Sequence, residues 1–272
     1  MHVKIFKSLT DDICFKHLFK EKRFLKDFLE SFFDYIGTKK KVIALKVTTE
    51  SEMHGTKREN KIFYGDIMAY LDTDEIVSIE MYNHFHEREF KKSLSYLARA
   101  FSDQLKQGED YLLAKKVISI NLMEENYHLN NFQMLNNYGF VNKFNYGAMK
   151  DEYLEMFLIR LDLIKEIVYN KEEKRLIRWL KLIKANSFEE MRKIAKGDEI
   201  MERAIEFMEK FVNDEEVRNI YDKINDVELY AKEEGLKEGI LETAKNLLHM
   251  NFSIEDIAKA TGLSRNEIEA LR

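Results

Sequence analysis

The chain has 272 residues, 45% hydrophobic and 34% charged, with a net charge of −5. That much apolar material supports a large buried core and excludes a disordered chain, while the mixed signs exclude recognition of nucleic acid by bulk positive charge. A single cysteine, Cys14, excludes both a disulfide framework and a cysteine-built zinc site.

Thr10 is positioned to cap a helix from about Asp11 to Tyr35, with an interruption near Lys20-Glu21-Lys22. Phe15, Leu18, Phe19, Leu25, Phe28, Leu29 and Phe32 give that segment its apolar face, and Cys14 beside Phe15 reads as a buried structural thiol. Val42–Thr49 reads as a first strand, and the polar stretch Ser51–Lys61, with Gly55, as a loop. Two apolar runs, residues 62–71 and 76–82, flank turn-forming Asp72-Thr73-Asp74-Glu75 and predict a hairpin. Ile62, Tyr64, Met68 and Tyr70 share one face of the first run, and Phe63, Ile67, Ala69 and Leu71 the other, as in an inner strand covered on both sides.

An amphipathic helix is expected over Arg88–Lys106, stopped by Gly108. Phe90, Leu94, Leu97, Phe101 and Leu105 form its apolar stripe, and Arg88, Lys92, Ser95 and Arg99 a nearly opposite one. Lys116–Met123, Phe140–Tyr146 and Tyr153–Asp162 read as strands, the last two separated by a turn at Gly147. From about Ile164 the chain reads as charged helices, with Trp179 and Leu180 in the first. It ends in two short helices around Gly262 that form a helix-turn-helix pattern. The order suggests an α-β-β-β-α-β core. The expected divisions are 1–162 for that core, 163–230 for a helical extension and 231–272 for a helical tail. With no proline in the chain, these boundaries depend on Gly, Asn and charge clusters.

Asp66 and Glu80 are the chemically pointed residues of the hairpin. A turn centred on Thr73 opposes them directly, with Cβ atoms roughly 4.5–5.5 Å apart. Like charges so placed repel unless something offsets them. A divalent cation does so, since Mg²⁺ is held by one or two carboxylates plus substrate phosphates. Two plainer arrangements fit the same residues: each carboxylate pairs with a Lys or Arg, or another register separates them.

The order of these blocks resembles the PD-(D/E)XK nuclease superfamily, and within it the recombination-promoting nuclease, or transposase-like, group. Asp12-Ile-Cys-Phe15-Lys16-His-Leu-Phe19 is similar to that group's opening Asp-x-x-Phe-Lys-x-x-Phe. Gly65-Asp66-Ile67 is similar to its Asp strand, and Ile79-Glu80-Met81-Tyr82 to its Ile-Glu-Met-Gln strand. Phe90-Lys91-Lys92 through Tyr96, then Gln104 to Tyr111, resembles the helix and turn that follow, and Val117–Ile120 the next strand. The Gly235/Gly239 helix and the terminal helix pair are similar to the group's tails.

The resemblance implies an α/β fold, a restriction-endonuclease-like mixed sheet flanked by helices, with a helical C-terminal extension. It implies metal-dependent hydrolysis of DNA phosphodiesters, with Asp66 and Glu80 holding Mg²⁺ or Mn²⁺ and Asp12 reaching the site from the first helix. Asp12 fits equally a charge favoured by the helix dipole. The third position of the Glu-x-Lys/Gln element falls on Tyr82, which has one hydroxyl and no fixed charge, and can position a water. Lys92, Arg88 and Arg99 are the candidate contacts to DNA phosphate, with a solvated helix face as the plain alternative. A non-catalytic DNA- or protein-binding module that kept the fold is the rival function. His84 and His86 are alternate residues past the second run; without a third ligand they read as surface rather than zinc ligands. The terminal pair's last helix is too mixed in charge for base readout, so an accessory or homo-oligomerising role is expected. The single thiol, the first residues and the lack of any run of about 18 apolar residues suggest a cytoplasmic protein without a membrane span.

Overall fold

The structure is a computed structural model that describes residues 6–38, 40, 42, 45–49, 66–71, 75–127, 133–144, 153–164 and 173–271. The expected loop 51–61, Ile62–Gly65, the turn residues 72–74 and the Gly147 turn lie outside the described residues.

Asp11, rather than Thr10, caps α1 (Asp12–Lys20), its carboxylate accepting from the N–H groups of Ile13 and Cys14 at 3.1 Å each. Adjacent polar residues compete for that position, and the carboxylate also complements the helix dipole. Extended backbone at Glu21 separates α1 from α2 (Lys22–Tyr35), an interruption at the place the polar triplet indicated. The phenylalanines of both helices are buried, and Cys14 is a fully buried free thiol.

Among the described residues six strands form one mixed sheet: β1 (Leu45–Thr49), β2 (Ile67–Leu71), β3 (Glu75–Phe85), β4 (Lys116–Asn126), β5 (Leu135–Tyr138) and β6 (Leu154–Arg160), in the order β1-β2-β3-β4-β6-β5. β1, β2 and β3 pair antiparallel, β3, β4 and β6 parallel, and β5 closes the far edge antiparallel to β6. Helix α3 (Glu87–Ser102) makes the crossover that a parallel β3–β4 pair needs. It ends at Asp103, short of the expected Lys106, and Gly108 follows in a left-handed turn.

Residues 140–144 of the strand expected over 140–146 form no strand (145 and 146 lie outside the described residues), and β5 runs a few residues earlier. Leu135-Asn-Asn-Tyr138 is too polar to signal a strand by propensity, and its pairing with β6 defines it. Phe140, Val141 and Phe144 are exposed.

Helix α3 covers one face of the sheet through Leu97 and Ala100, over Met68, Tyr82, Val117, Met123, Met156 and Leu158. The other face meets α2, where Phe32 packs edge-on against Phe157 with ring centroids 4.9 Å apart. Outside α1 and α2 lie α4 (Arg175–Lys184), α5 (Phe188–Ala195) and α6 (Glu199–Val212). Trp179 of α4 packs on Phe19 and Phe28, and its indole N–H donates to Asp27 at 2.6 Å. Arg175 joins the same carboxylate at 2.8 Å and also grips Asp198.

The chain divides into two compact units, residues 1–212 and 213–272. The helices of 175–212 thus belong with the sheet, and neither 162 nor 230 coincides with this division. The second unit is the long α7 (Glu215–His249) with α8 (Ile254–Thr261) and α9 (Arg265–Glu269). Ser253 and Ser264 cap the short helices, and Gly262 takes the left-handed conformation between them, at φ +74°. Ile257 and Ile268 are buried against Ala244 of α7, so the terminal pair packs on the end of its own unit. Among the described residues no helix is long and apolar enough to cross a membrane.

Candidate active site

The hairpin β2–β3 sets the site. Ile67 pairs with Ile79, Met68 with Ser78, Ala69 with Val77 and Tyr70 with Ile76, which is the register of a turn centred on Thr73. Asp66 immediately precedes β2, and the same register carried one step further places it opposite Glu80. A slip of one residue would have sent the two side chains to different faces.

Both carboxylates are buried, Asp66 at 7% and Glu80 at 2% exposure. Oδ2 of Asp66 accepts from the Met81 N–H at 3.0 Å, and Lys16 of α1 stands 3.3 Å from Oδ1. Lys16 also pairs with Asp12 at 2.8 Å, so Asp12, largely exposed in the first turn of α1, joins the site through that lysine. Burial raises the Asp66 pKa against the pull of Lys16 and the Met81 N–H. Glu80 is pushed up to about 7, first by burial and then by the charge of Asp66. The two carboxylates therefore sense each other across the hairpin.

Glu80 is held from α3. Lys92 Nζ lies 3.2 Å from its Oε2, while Oε1 is buried with no protein partner. On the neighbouring strand, parallel pairing sets Asn121 beside Glu80. Asn121 is fully buried; its amide nitrogen donates to Ser119 Oγ at 3.0 Å and to the Phe157 carbonyl at 3.2 Å. Its Oδ1 is likewise buried without a protein partner. Unpaired buried oxygens are costly, and two of them at paired positions are a donor set suited to a hard cation or its water.

Tyr82 is 7% exposed, and its hydroxyl lies 2.9 Å from Ser93 Oγ. Ser93 Oγ also lies 3.0 Å from the Glu89 carbonyl, and the Tyr82 hydroxyl is hydrogen-bonded to the Glu80 carboxylate as well. Burial, with the Glu80 charge second, raises the phenol far above its ordinary value, and it stays protonated.

Of the expected basic stripe, the structure brings Lys92 to the carboxylates; Arg88 and Arg99 stand exposed on the same helix. His84 and His86 are exposed: His84 Nδ1 lies 3.0 Å from Glu125, and His86 stacks on Tyr127. Among the described residues no group of three or more His, Cys, Asp or Glu side chains is placed to hold a metal, so the candidate centre has two carboxylates. Lys16, Ser93 and Asn121 were not singled out from sequence as parts of a site. Lys16 stands in the Phe-Lys of the opening block, but nothing in their spacing marks Ser93 or Asn121.

Neither a curated protein nor a solved structure matches the chain. The family described as PD-(D/E)XK nuclease family transposase matches residues 9–234, a span that takes in α1, the whole sheet, both carboxylates and most of the helical part. On that match, over a mixed sheet whose hairpin opposes one Asp to one Glu, the chain belongs to the PD-(D/E)XK nuclease family transposases.

Proposed function

We propose that the protein is a metal-dependent deoxyribonuclease that hydrolyses DNA phosphodiesters, with Asp66 and Glu80 as the ligands of Mg²⁺ or Mn²⁺, in the service of recombination or mobile elements in the cytoplasm. The observation that carries this reading is the Glu80 Oε1 atom, buried without a protein partner beside a second buried carboxylate. Two carboxylates completed by substrate phosphate suit Mg²⁺. A bound divalent ion supplies Lewis acidity to a phosphoryl oxygen and a more acidic water.

The protein's own part is positional. The Met81 N–H and Lys16 fix the direction of Asp66, and Lys92 fixes Glu80. In the reaction a water gives up one proton as its oxygen bonds to phosphorus, the ester P–O bond breaks, and the departing oxygen takes a proton in its turn. Arg88 and Arg99, exposed on α3, are proposed to meet the DNA backbone. A second copy of the chain is proposed to associate through the C-terminal helices, where α7 exposes Ile220, Tyr230, Leu236 and Leu241.

The test is nicking of supercoiled plasmid with Mg²⁺ or Mn²⁺, against EDTA, by the full chain and by Asp66→Asn and Glu80→Gln. Cleavage by the wild type alone, abolished by EDTA, is expected. Equal inactivity of all three would leave the second reading, a DNA- or protein-binding module. That reading is favoured by Tyr82, which supplies no fixed charge where the family carries Lys or Gln and whose hydroxyl lies 2.9 Å from Ser93.

A further inference from the structure

We propose that Lys92 is the fixed cation of this site, delivering from α3 the positive charge that a lysine at position 82 would deliver from β3. The proposal builds on the nuclease reading and assigns within it a residue that neutralises charge on the scissile phosphate.

Three features of the geometry carry it. The first is the partner: Lys92 Nζ is 3.2 Å from Glu80 Oε2, on the oxygen opposite the one without a protein partner. The second is the cradle. The ammonium lies 5.2 Å over the ring of Tyr82 and 5.2 Å over the ring of Tyr96, so two aromatic faces and one carboxylate hold a side chain that is otherwise long and mobile. The third is access. The Lys92 side chain is 43% exposed while that of Glu80 is 2% exposed, so Lys92 reaches the buried carboxylate from a solvent-open side of the site.

Tyr82 takes its place in the same arrangement. Its hydroxyl is engaged by Ser93, the neighbour of Lys92 on α3, and by the Glu80 carboxylate. Its ring packs between Phe85 and the α3 face of the sheet. Tyr82 is therefore a positioning residue: it forms the floor under Lys92 and ties that turn of α3 to β3. A lysine at 82 and a lysine at 92 would compete for one carboxylate, and this chain carries the second. Lys16, the other ammonium at the site, is flanked by Asp12 and Asp66 and carries no surplus charge for a substrate.

The experiment uses the full chain with Lys92→Met, Lys92→Gln and Lys92→Arg, and the relocated charge Tyr82→Lys/Lys92→Met. Three quantities are read: plasmid cleavage with Mn²⁺, DNA affinity with Ca²⁺ in place of Mn²⁺ across a salt series, and Mn²⁺ affinity by calorimetry without DNA. Loss of a preorganised charge at a reacting phosphate costs about 10²–10³ in rate. Lys92→Met and Lys92→Gln are expected to lose that much cleavage, with a few-fold weaker DNA binding and a salt slope lower by about one. Mn²⁺ should bind at least as tightly as in wild type, because a competing cation has left Glu80. The relocated lysine should recover at least about tenfold over Lys92→Met, and Lys92→Arg should retain most activity. Melting curves matching wild type establish that both neutral variants fold.

Wild-type cleavage that survives Lys92→Met and Lys92→Gln within about threefold overturns the proposal and leaves the nuclease reading standing. A loss of cleavage matched fold for fold by lost DNA affinity also overturns it, making Lys92 a backbone anchor only. Inactivity of wild type and Asp66→Asn alike overturns the nuclease reading, and the proposal falls with it.

Discussion

The Met81 N–H donates to Oδ2 of Asp66 at 3.0 Å, and this one bond joins the carboxylate to the strand that carries Glu80. Asp66 is thus oriented by the backbone of its partner strand and by Lys16 on its other oxygen. Its direction does not depend on a bound ion.

Two substitutions at this position separate fold from function. Asp66→Asn keeps an oxygen for the Met81 N–H and removes a buried charge whose pKa burial already raises. It should melt at or above wild type while losing Mn²⁺ binding. Asp66→Ala leaves that N–H unsatisfied and should cost about 1–3 kcal/mol. Urea unfolding and calorimetry with Mn²⁺ read both effects, and equal destabilisation by the two variants would contradict this account.

Glu80 makes stability depend on pH in the absence of divalent ions. Its folded pKa, about 7, lies above the ordinary 4.5, first because of burial and then because of Asp66. Between those values the native state binds the proton more tightly than the unfolded chain, so stability falls as pH rises through the interval. At about 1.4 kcal/mol per unit the loss amounts to as much as about 3 kcal/mol between pH 4.5 and 8. In EDTA, Glu80→Gln should flatten this part of the curve. Stabilisation by added Mn²⁺ should grow over the same interval, because the ion needs the ionised carboxylate. A pH profile of Glu80→Gln superimposable on wild type would remove Glu80 as its source.

Tyr82→Phe loses a hydroxyl that contacts Ser93 and Glu80 and keeps the ring beneath Lys92. The expected cost is about 1 kcal/mol in stability, with cleavage within about tenfold of wild type. Tyr82→Ala removes the ring as well and should reduce cleavage much further. Plasmid assays on the two variants distinguish a hydroxyl that acts on water from a ring that supports a lysine.

Far from the site, Asp27 accepts both the Trp179 indole N–H and Arg175. Asp27→Ala leaves two donors short of a partner and should cost about 2–4 kcal/mol. Trp179→Phe removes the indole donor but leaves Arg175 on Asp27, and should be less damaging at that carboxylate while opening a cavity among Phe19 and Phe28. Thermal melts of the full chain measure both, and Mn²⁺ affinity should stay unchanged in each.

The hairpin was legible in the sequence because two apolar runs flank a four-residue polar turn; the sequence left the register open, and the observed pairing is the one centred on Thr73. The family blocks were legible for the same reason, being contiguous. Lys92 was visible as a member of a helical stripe and of a family block, and its assignment there was to DNA phosphate. Its proximity to Glu80 depends on the crossover that lays α3 over β3, and no local pattern encodes that. Asn121 sits in an ordinary buried strand run, and only parallel pairing brings it beside Glu80. β5 escaped notice because two asparagines sit at its centre, and its partner strand rather than its own residues makes it a strand.

The contacts of the site and of the outer helices differ sharply in reach along the chain. Met81 and Asp66 are 15 residues apart and Lys92 and Glu80 only 12, whereas Trp179 and Asp27 are separated by 152. Closing a short loop is fast and entropically cheap compared with closing a long one. On a ribosome, the carboxylates and their lysine are free to meet soon after α3 emerges, while the phenylalanines of α1 and α2 wait uncovered for α4. The interval between those events is when a nascent chain of this kind is most exposed to aggregation. A stalled or truncated product ending before residue 175 would carry the hairpin and α3 together with an open aromatic face, and is expected to be a chaperone client.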